Sequence, residues 1–480
     1  MRIACLLWIV ASPALLAAQP LPEIRAKQFI AALADDGARS FIDKETLRLS
    51  ERLEIHYTGI KEKAFVAHRL PAEIKACLQN KNSAYTIRLS PLGENITELN
   101  LDVPGQNYRQ KFLFKDSLFI SPLLYHTARW HTRESTHFKF FISDTATFHK
   151  DAETELENFL GEMMNRLKFT DDDRKKIAAE KILYILCKDE AEVLRLTGFP
   201  TRGVADLSLD AVVTSHACHT HELSHLLINF KLRQLPLYTH PFLQEGFAVA
   251  FGGRAGFVPA AIKDVGYFLE KSGTANHANF LRTDRFYEED ASITYPLAGL
   301  YTEFLFGTLG LETYLKFYLA HSATRREDLQ SIAQNELPDS LAWKKILRNY
   351  TPHHGVKFGY MQAGKVIGQN RRGKISESGE GYAVELKDTL LISTSETAGG
   401  YRSNKFEEMF RGKTYHGETY LIIANASEVR VYDLHTDLLV ADYLKAFALP
   451  PKSVPKDQDR YRFTIRKDVL PSPLKILRVE

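Results

Sequence analysis

The sequence predicts an α+β protein of several domains, and three observations predict that class. Short segments rich in β-branched and aromatic residues, such as AYTIRLSPL and ITELNLDV, occupy much of the first 120 residues. Apolar residues at helical spacing dominate from about residue 152 to residue 320. After residue 350, short alternating segments return, among them YAVELKDTLLIST and DRYRFTIRKDV. Strands and helices in this order are typical of an α+β architecture.

Changes in this pattern divide the chain into four parts. Residues 1–18 are predicted to form a signal peptide, and residues 19–120 are predicted to form a small α+β domain. Residues 121–350 predict a central domain, and residues 351–480 predict an all-β domain, either a sandwich or a small barrel. A length of 480 residues agrees with about two to four domains.

The central domain contains the strongest helical signals. Helices are predicted over Ala152–Lys168, Pro259–Lys271, Pro296–Leu309 and Glu312–Ala320. Two buried strands are expected in the same domain, over KILYILC and over DAVVT. DAVVT leads directly into the most informative stretch of the chain.

The charge balance argues against a strongly charged partner. The chain has 62 basic and 59 acidic side chains, for a formal net charge of +3. No overall field therefore favours nucleic acid or an anionic membrane surface. Hydrophobic residues at 44% and charged residues at 25% are values of an ordinary soluble globular protein.

The first residues, MRIACLLWIVASPALLAAQPLP, have the pattern of a secretory signal peptide. Arg2 precedes an apolar run, and small residues predict cleavage near Ala18 or Gln19. The alternative is a retained anchor, but the run is shorter than the roughly 20 apolar residues that a membrane span needs, and it contains Pro13. We therefore expect a secreted or periplasmic protein without a stable membrane span after cleavage.

Metal-ligand chemistry is concentrated between His216 and Gly253. His221, Glu222 and His225 form the motif HELSH, and on a helix residues four apart share a face, so both imidazoles can reach one ion. A catalytic zinc ion takes three protein ligands and leaves one position for water. Glu245, twenty positions after His225, is the candidate for the third ligand. Glu222 is placed to accept a proton from that water.

HELSH followed by LQEGFAVAF resembles the gluzincin metallopeptidases of the peptidase MA-like superfamily. In that family, HExxH is followed by a glutamate ligand on the next helix. The resemblance covers roughly residues 181–321 and implies a thermolysin-like core, in which a mixed sheet precedes a helical lobe. It also implies one Zn²⁺ ion on His221, His225 and Glu245, with Glu222 as general base. An upstream edge strand would pair with the extended substrate, and DAVVT is either that edge or an internal strand.

A tyrosine is implied by the same resemblance. The segment Tyr-Pro-Leu-Ala-Gly, which begins at Tyr295, is similar to the helix start that follows the glutamate ligand in gluzincins. There the phenol hydrogen-bonds the oxyanion as the scissile carbonyl becomes tetrahedral. Tyr295 is the candidate, Tyr301 is the second choice, and a packed core tyrosine is the alternative.

Other histidines crowd the same region. His240 either lines the cleft and contacts the substrate carbonyl, as a further catalytic residue, or is a polar residue that flanks a helix. His219 is rotated by about half a turn from His221 and should face away from the metal. In some gluzincins, a carboxylate four residues after the ligand glutamate accepts a hydrogen bond from a ligand histidine. The corresponding residue here is Val249, so the sequence does not identify the group that fills this role.

Three cysteines remain after signal cleavage: Cys77, Cys187 and Cys218. In an oxidising compartment, one disulfide and one free thiol are possible, and the sequence does not rank the three pairings. Cys218 is predicted to be a small buried residue rather than a metal ligand, because two histidines and a glutamate already complete a set of three.

These residues predict a zinc metallopeptidase that acts on a peptide or protein substrate. Endopeptidase or oligopeptidase action is favoured over aminopeptidase action, because the only segment like an amine-binding Gly-x-Met-Glu-Asn strand, GEMMN from Gly161, has helical spacing and lacks the glutamate. The alternative is a non-catalytic, zinc-stabilised scaffold that binds a surface polymer or a protein partner. Hydrolysis of a non-peptide amide or ester is a third option. The partner of the C-terminal domain is not identified by the sequence.

Overall fold

Helices and strands are both abundant, and the strands form several sheets, so the mixed α+β class is confirmed. The structure, a computed structural model, describes residues 21–350 except 81–83, 94, 150, 255–258, 272–275 and 289–290. Beyond residue 350 it describes the backbone of ten strands between residues 360 and 475.

Thirteen α-helices lie within the described residues. They are α1 (Glu23–Ala34), α2 (Lys44–Glu51), α3 (Ala72–Gln79), α4 (Pro122–Thr127), α5 (Asp151–Arg166), α6 (Asp171–Glu180), α7 (Glu190–Thr197), α8 (Thr220–Leu232), α9 (Pro241–Gly252), α10 (Pro259–Lys271), α11 (Thr283–Glu288), α12 (Ala291–Ala320) and α13 (Ser340–Asn349). The helix predicted over Ala152–Lys168 is therefore confirmed as α5, to within two residues at either end.

The strands up to residue 349 are β1 (His56–Thr58), β2 (Thr86–Gly93), β3 (Ile96–Val103), β4 (Tyr108–Lys115), β5 (Leu118–Ile120), β6 (His131–Glu134), β7 (Phe138–Ile142), β8 (Ile182–Leu186), β9 (Gly203–Asp206), β10 (Ala211–Thr214), β11 (Gln234–Pro236), β12 (Tyr238–Thr239) and β13 (Ser322–Ala323). The described strands beyond it are β14 (Tyr360–Gln362), β15 (Lys365–Gly368), β16 (Gly373–Ser378), β17 (Gly381–Leu386), β18 (Thr389–Thr394), β19 (Thr419–Ala424), β20 (Val429–Asp433), β21 (Leu439–Asp442), β22 (Tyr461–Arg466) and β23 (Leu474–Lys475).

The first of two compact units comprises the described parts of 1–52 and 60–130, together with 207–209. It contains an antiparallel sheet in the order β2-β3-β4-β5. Alternate residues of β3, namely Leu99, Leu101 and Val103, are buried, as expected for a strand with one face on a core. Rings from α1, β4 and β5 meet there: Phe29 contacts Phe112 and Phe114 edge-on, at centroid distances of 5.1 and 5.0 Å.

A histidine is enclosed in this aromatic core. The ring of His68 lies 5.1 Å from that of Phe112 and 5.4 Å from that of Phe119, and its Nδ1 accepts a hydrogen bond of 2.7 Å from Nε2 of Gln110. Burial disfavours the charged imidazolium and lowers the pKa of His68 to about 4.

We expect acid to destabilise the first unit through His68. The unfolded chain gains this proton near pH 6.5 but the folded chain only near pH 4, so the free energy of unfolding falls as the pH drops between those values. At about 1.4 kcal/mol per pH unit, the interval between these two pKa values corresponds to a loss of at most about 3 to 4 kcal/mol. Urea denaturation at several pH values should show a shallower pH dependence for His68→Phe than for wild type. The exposed His131 provides the control His131→Gln, and equal slopes in all three proteins would contradict the expectation.

The second compact unit comprises 53–59, 131–206 and the described residues after 209. Its main sheet has the order β6-β7-β8-β10-β9, in which β7, β8 and β10 are parallel and the two outer strands are antiparallel to their neighbours. Strand β10 covers the last four residues of the predicted DAVVT segment and lies between β8 and β9, so it is internal. The edge next to it is β9, which the sequence analysis did not identify.

The helical part of this unit follows the sheet in sequence. Helix α9 packs against both α8 and α12. The run Ala291–Ala320 is interrupted at Gly310, where φ is 72°, so it forms two helical segments, 291–309 and 311–320. This agrees with the two helices that were predicted on either side of that glycine, although the first begins five residues before the predicted start at Pro296.

Described residues beyond 359 are all in strands. They form sheets in the orders β14-β15, β16-β17-β22 and β21-β20-β19-β18-β23. Whether these sheets make a sandwich or a barrel stays a prediction.

The predicted signal peptide, residues 1–18, lies outside the described residues. Among the helices that the structure does describe, none is both long and apolar enough to cross a bilayer.

Cys77, Cys187 and Cys218 are all free thiols, so none of the three predicted pairings is present. Burial raises the pKa of Cys187 to about 12. Burial also raises the pKa of Cys218 to about 12, with a further contribution from the charge of Glu155. Protonated thiols at ordinary pH are poor metal ligands and poor nucleophiles.

Candidate metal centre

Helices α8 and α9 carry the three predicted ligands. Helix α8 contains His221 and His225 one turn apart on one face. Helix α9 begins at Pro241, whose ring suits the first position of a helix, and it carries Glu245 in its second turn. Because the two helices pack together, the carboxylate returns to the histidines.

The three side chains converge on one point. One ligand atom from each of His221, His225 and Glu245 lies within 4.8 Å of the other two. The Oε2 atom of Glu245 is 3.3 Å from Nε2 of His221 and 3.5 Å from Nε2 of His225. Both histidines are buried, with 6% and 8% of their surfaces exposed. This buried group could hold a metal ion.

The hydrogen bonding of His221 fits a cation at this point. Its Nδ1 lies 2.7 Å from the carbonyl oxygen of Gly253, which can only accept, so Nδ1 carries the proton. A neutral His221 then presents the lone pair of Nε2 to the Glu245 carboxylate. Two lone pairs facing each other repel unless a proton or a metal ion lies between them. The Gly253 carbonyl thus orients the candidate ligand His221, which Val249, as an apolar residue, cannot do.

The backbone at Gly253 is shaped for this contact. Its φ of 74° and ψ of −158° lie in a region that is essentially restricted to glycine. Just before it, the hydroxyl of Thr220 donates a 2.5 Å hydrogen bond to the carbonyl of Gly252. A Cβ atom at Gly252 would collide with the backbone of Thr220, so α8 and α9 approach this closely only with glycine there.

We expect Gly253→Ala to weaken metal binding by about 10- to 100-fold, the usual effect of losing a group that orients a ligand histidine. The added methyl group disfavours the backbone conformation that aims the carbonyl at His221. Isothermal titration of the metal-free protein with Zn²⁺ measures the change. The control is Gly161→Ala in α5, where an added Cβ meets no atom within 4 Å. Equal affinities in the two variants would contradict the role of Gly253.

His225 and Glu245 each shift the pKa of the other. Burial by itself would raise the pKa of Glu245, but the charge of His225 and the close approach of both histidine side chains outweigh it and lower the pKa. Burial would lower the pKa of His225, but the charge of Glu245 and its hydrogen bond raise it. Glu245 is therefore an anion, as a metal-binding carboxylate must be.

Glu222 lies outside this group of ligand atoms and contacts the sheet. Its Oε2 atom accepts a 2.9 Å hydrogen bond from the backbone N–H of Ala205, in the edge strand β9. Its Oε1 atom lies 4.0 Å from Nε2 of His219, and 13% of the side chain is exposed. The candidate base is thus held at the sheet edge, with limited access to solvent.

Tyr295 is beside the metal group, whereas Tyr301 is in the core. The Tyr295 ring stacks against that of His221 at a centroid distance of 6.4 Å. Burial, followed by the charge of Glu245, holds the pKa of Tyr295 well above its usual value, so the phenol keeps its proton. Tyr301 is 2% exposed, and its ring stacks on that of His277 at 4.0 Å. Of the two candidates, only Tyr295 has contact with a predicted ligand in the described contacts.

His240 caps α9, and both of its ring nitrogens form hydrogen bonds within the protein. Its side chain is fully buried, its Nδ1 accepts from the N–H of Phe242 at 3.2 Å, and its Nε2 donates to the carbonyl of Leu281 at 2.9 Å. Both ring nitrogens are therefore occupied within the protein. Of the two alternatives for His240, this geometry fits the helix-flanking residue.

Two neighbours of the site were not assigned from the sequence. His219 is outside the ligand group, as expected, but it is beside Glu222, and its Nδ1 is 2.7 Å from the hydroxyl of Thr214. Arg254 lies over Tyr295, with Cζ 3.5 Å from the ring centroid. The only signal for Arg254 was its position directly after the Gly-Gly pair that ends the second ligand helix.

Neither protein-family models, nor curated proteins, nor solved structures provide a match to this chain.

Proposed function

We propose that this chain is a secreted or periplasmic zinc metallopeptidase. The observation that carries the proposal is the convergence of His221, His225 and Glu245 within 4.8 Å, with a fourth residue, Glu222, adjacent to but outside the group. Two imidazoles and one carboxylate are a donor set that zinc accepts in catalytic sites. A purely structural zinc site would be closed by a fourth protein ligand and would have no use for a neighbouring carboxylate.

Each protein group has a role in this proposal. Bound Zn²⁺ would supply Lewis acidity, which acidifies water and polarises a carbonyl. Glu222 accepts the proton from the attacking water and passes it to the leaving amine. The hydrogen bond from Ala205 keeps the Glu222 carboxylate in place for both transfers. Tyr295, a protonated phenol beside His221, donates to the developing oxyanion.

The edge strand β9 supports action on an extended peptide. Strand β9 is the outer strand of its sheet and contacts Glu222 through Ala205, so a substrate strand added along β9 would lie beside the candidate base. The GEMMN segment belongs to α5, where Met164 is 2% exposed, so it does not form an amine-binding strand. We therefore favour an endopeptidase or oligopeptidase.

The test is to express the chain, measure its metal content and incubate it with a mixed peptide library. We expect about one zinc ion per chain and cleavage within peptides rather than only at their amino ends. A protein that holds zinc and cleaves no peptide would overturn the peptidase proposal. If removing zinc also unfolded that protein, the zinc-stabilised scaffold would be the better account.

A further inference from the structure

A row of aromatic rings leads from the candidate metal centre to solvent. The ring of Tyr295 stacks with that of His221, and Phe286 lies 5.5 Å from both Tyr295 and Tyr287. Phe286 is buried, whereas Tyr287 is 53% exposed. The row therefore ends in a ring that a ligand can reach.

An arginine guanidinium group lies over the ring of each tyrosine in this row. Arg254 lies over Tyr295, as described above, and also donates a 2.8 Å hydrogen bond to the carbonyl of Ala291. The Cζ atom of Arg326 is 4.8 Å from the ring centroid of Tyr287. A guanidinium stacked on a ring keeps N–H groups at its edge, where they match the two oxygens of a carboxylate.

The two acidic residues that follow Arg326 in the sequence do not form ion pairs with it. Glu327 and Asp328 both pair with Arg325, at 3.6 and 2.7 Å. Among the ion pairs of the described residues, none includes Arg326, whose side chain is exposed. Arg326 thus offers a cation at the outer end of the aromatic row.

The row is within electrostatic reach of the metal centre. Desolvation of the hydroxyl, and then the charge of Glu245, raise the pKa of Tyr287 to about 12. With a divalent cation bound, its two charges would be balanced by the carboxylates of Glu222 and Glu245. Arg326 would then be a positive charge that none of the described ion pairs includes, available to attract a ligand.

We propose that the Tyr287–Arg326 end of this row binds a carboxylate of the peptide substrate. The favoured substrates would be peptides that carry a carboxylate to one side of the scissile bond, either an acidic side chain or the free carboxyl terminus. The stacking of Arg326 on an exposed ring and its lack of a described ion partner carry the proposal. It rests on the proposed function, since it names the substrate class of the same site.

The test measures binding separately from cleavage. The full chain with Glu222→Gln, loaded with zinc, is titrated into fluorescent peptide libraries that contain either glutamate or glutamine at a varied position, each with a free or an amidated carboxyl terminus. We expect carboxylate peptides to bind about tenfold more tightly than neutral ones, the effect of one charge-assisted hydrogen bond. Arg326→Gln in the same background should reduce that preference to near one. Whichever pair of libraries shows the preference identifies the source of the carboxylate.

Arg348→Gln is the control, because it removes the same charge from another exposed arginine that is in none of the ion pairs of the described residues, and it should preserve the preference. Equal binding of all libraries, no binding of any, or equal effects of the two arginine variants would overturn the carboxylate site. Carboxylate-selective binding by a wild-type protein that cleaves nothing would instead overturn the peptidase proposal alone.

Discussion

We expect Glu222→Gln to keep its metal and to lose peptide cleavage by about 10²- to 10⁴-fold, the range that general acid–base catalysis contributes. Glutamine has the same shape, and its amide oxygen can still accept from the N–H of Ala205, so the local fold should persist. It cannot accept a proton from water. The change is measured as kcat/KM on a cleaved peptide, alongside zinc content.

Glu153→Gln is a suitable control for this variant. Glu153 is also a helical glutamate, and its carboxylate pairs at 2.6 Å with Arg133, apart from the ligand group. It should retain wild-type cleavage. Undiminished cleavage by Glu222→Gln would show that another group is the base, and loss of zinc from that variant would make Glu222 part of the metal site.

Loss of Glu245 should have the second large effect, on metal binding. We expect Glu245→Gln to lower zinc affinity by more than about 100-fold, because even residues that only orient a ligand reach that value. At zinc concentrations about 100 times the dissociation constant, the wild type should gain about 2.7 kcal/mol in free energy of unfolding. Thermal denaturation with zinc and with a chelator should show this gain in wild type and little of it in the variant.

A second carboxylate–histidine pair provides the control. Glu336 lies 3.3 Å from Nε2 of His321. Glu336→Gln should leave the zinc-dependent stabilisation intact. If Glu245→Gln is stabilised by zinc as much as wild type, Glu245 is not a ligand.

Features that depend on neighbours along the chain were predictable. His221 and His225 share a face because helical periodicity places residues four apart together. Helix α9 begins at Pro241, a residue type that suits the first turn of a helix, and α5 has nearly the predicted bounds. In each case the apolar spacing and the terminal residues act within a few positions of one another.

Features that depend on distant residues were not predictable. The second nitrogen of His240 is bonded to Leu281, forty-one positions away, so no local pattern excluded it from the cleft. The short strand β9 was missed because four residues carry little periodicity, and its edge position follows only from sheet order. The Gly253 carbonyl could not be found by a search for side chains, because a backbone group supplies the support.

The chemistry of the donors and their places on two helices follow from local sequence, since residue type and helical spacing are properties of short segments. Their convergence, the protonated nitrogen of His221, and the choice of Tyr295 over Tyr301 follow from packing. These depend on the close approach of α8 and α9 at Gly252 and on contacts between residues twenty to seventy positions apart. The free energy of such a contact depends on residues from several distant segments, so it cannot be read from any one segment alone.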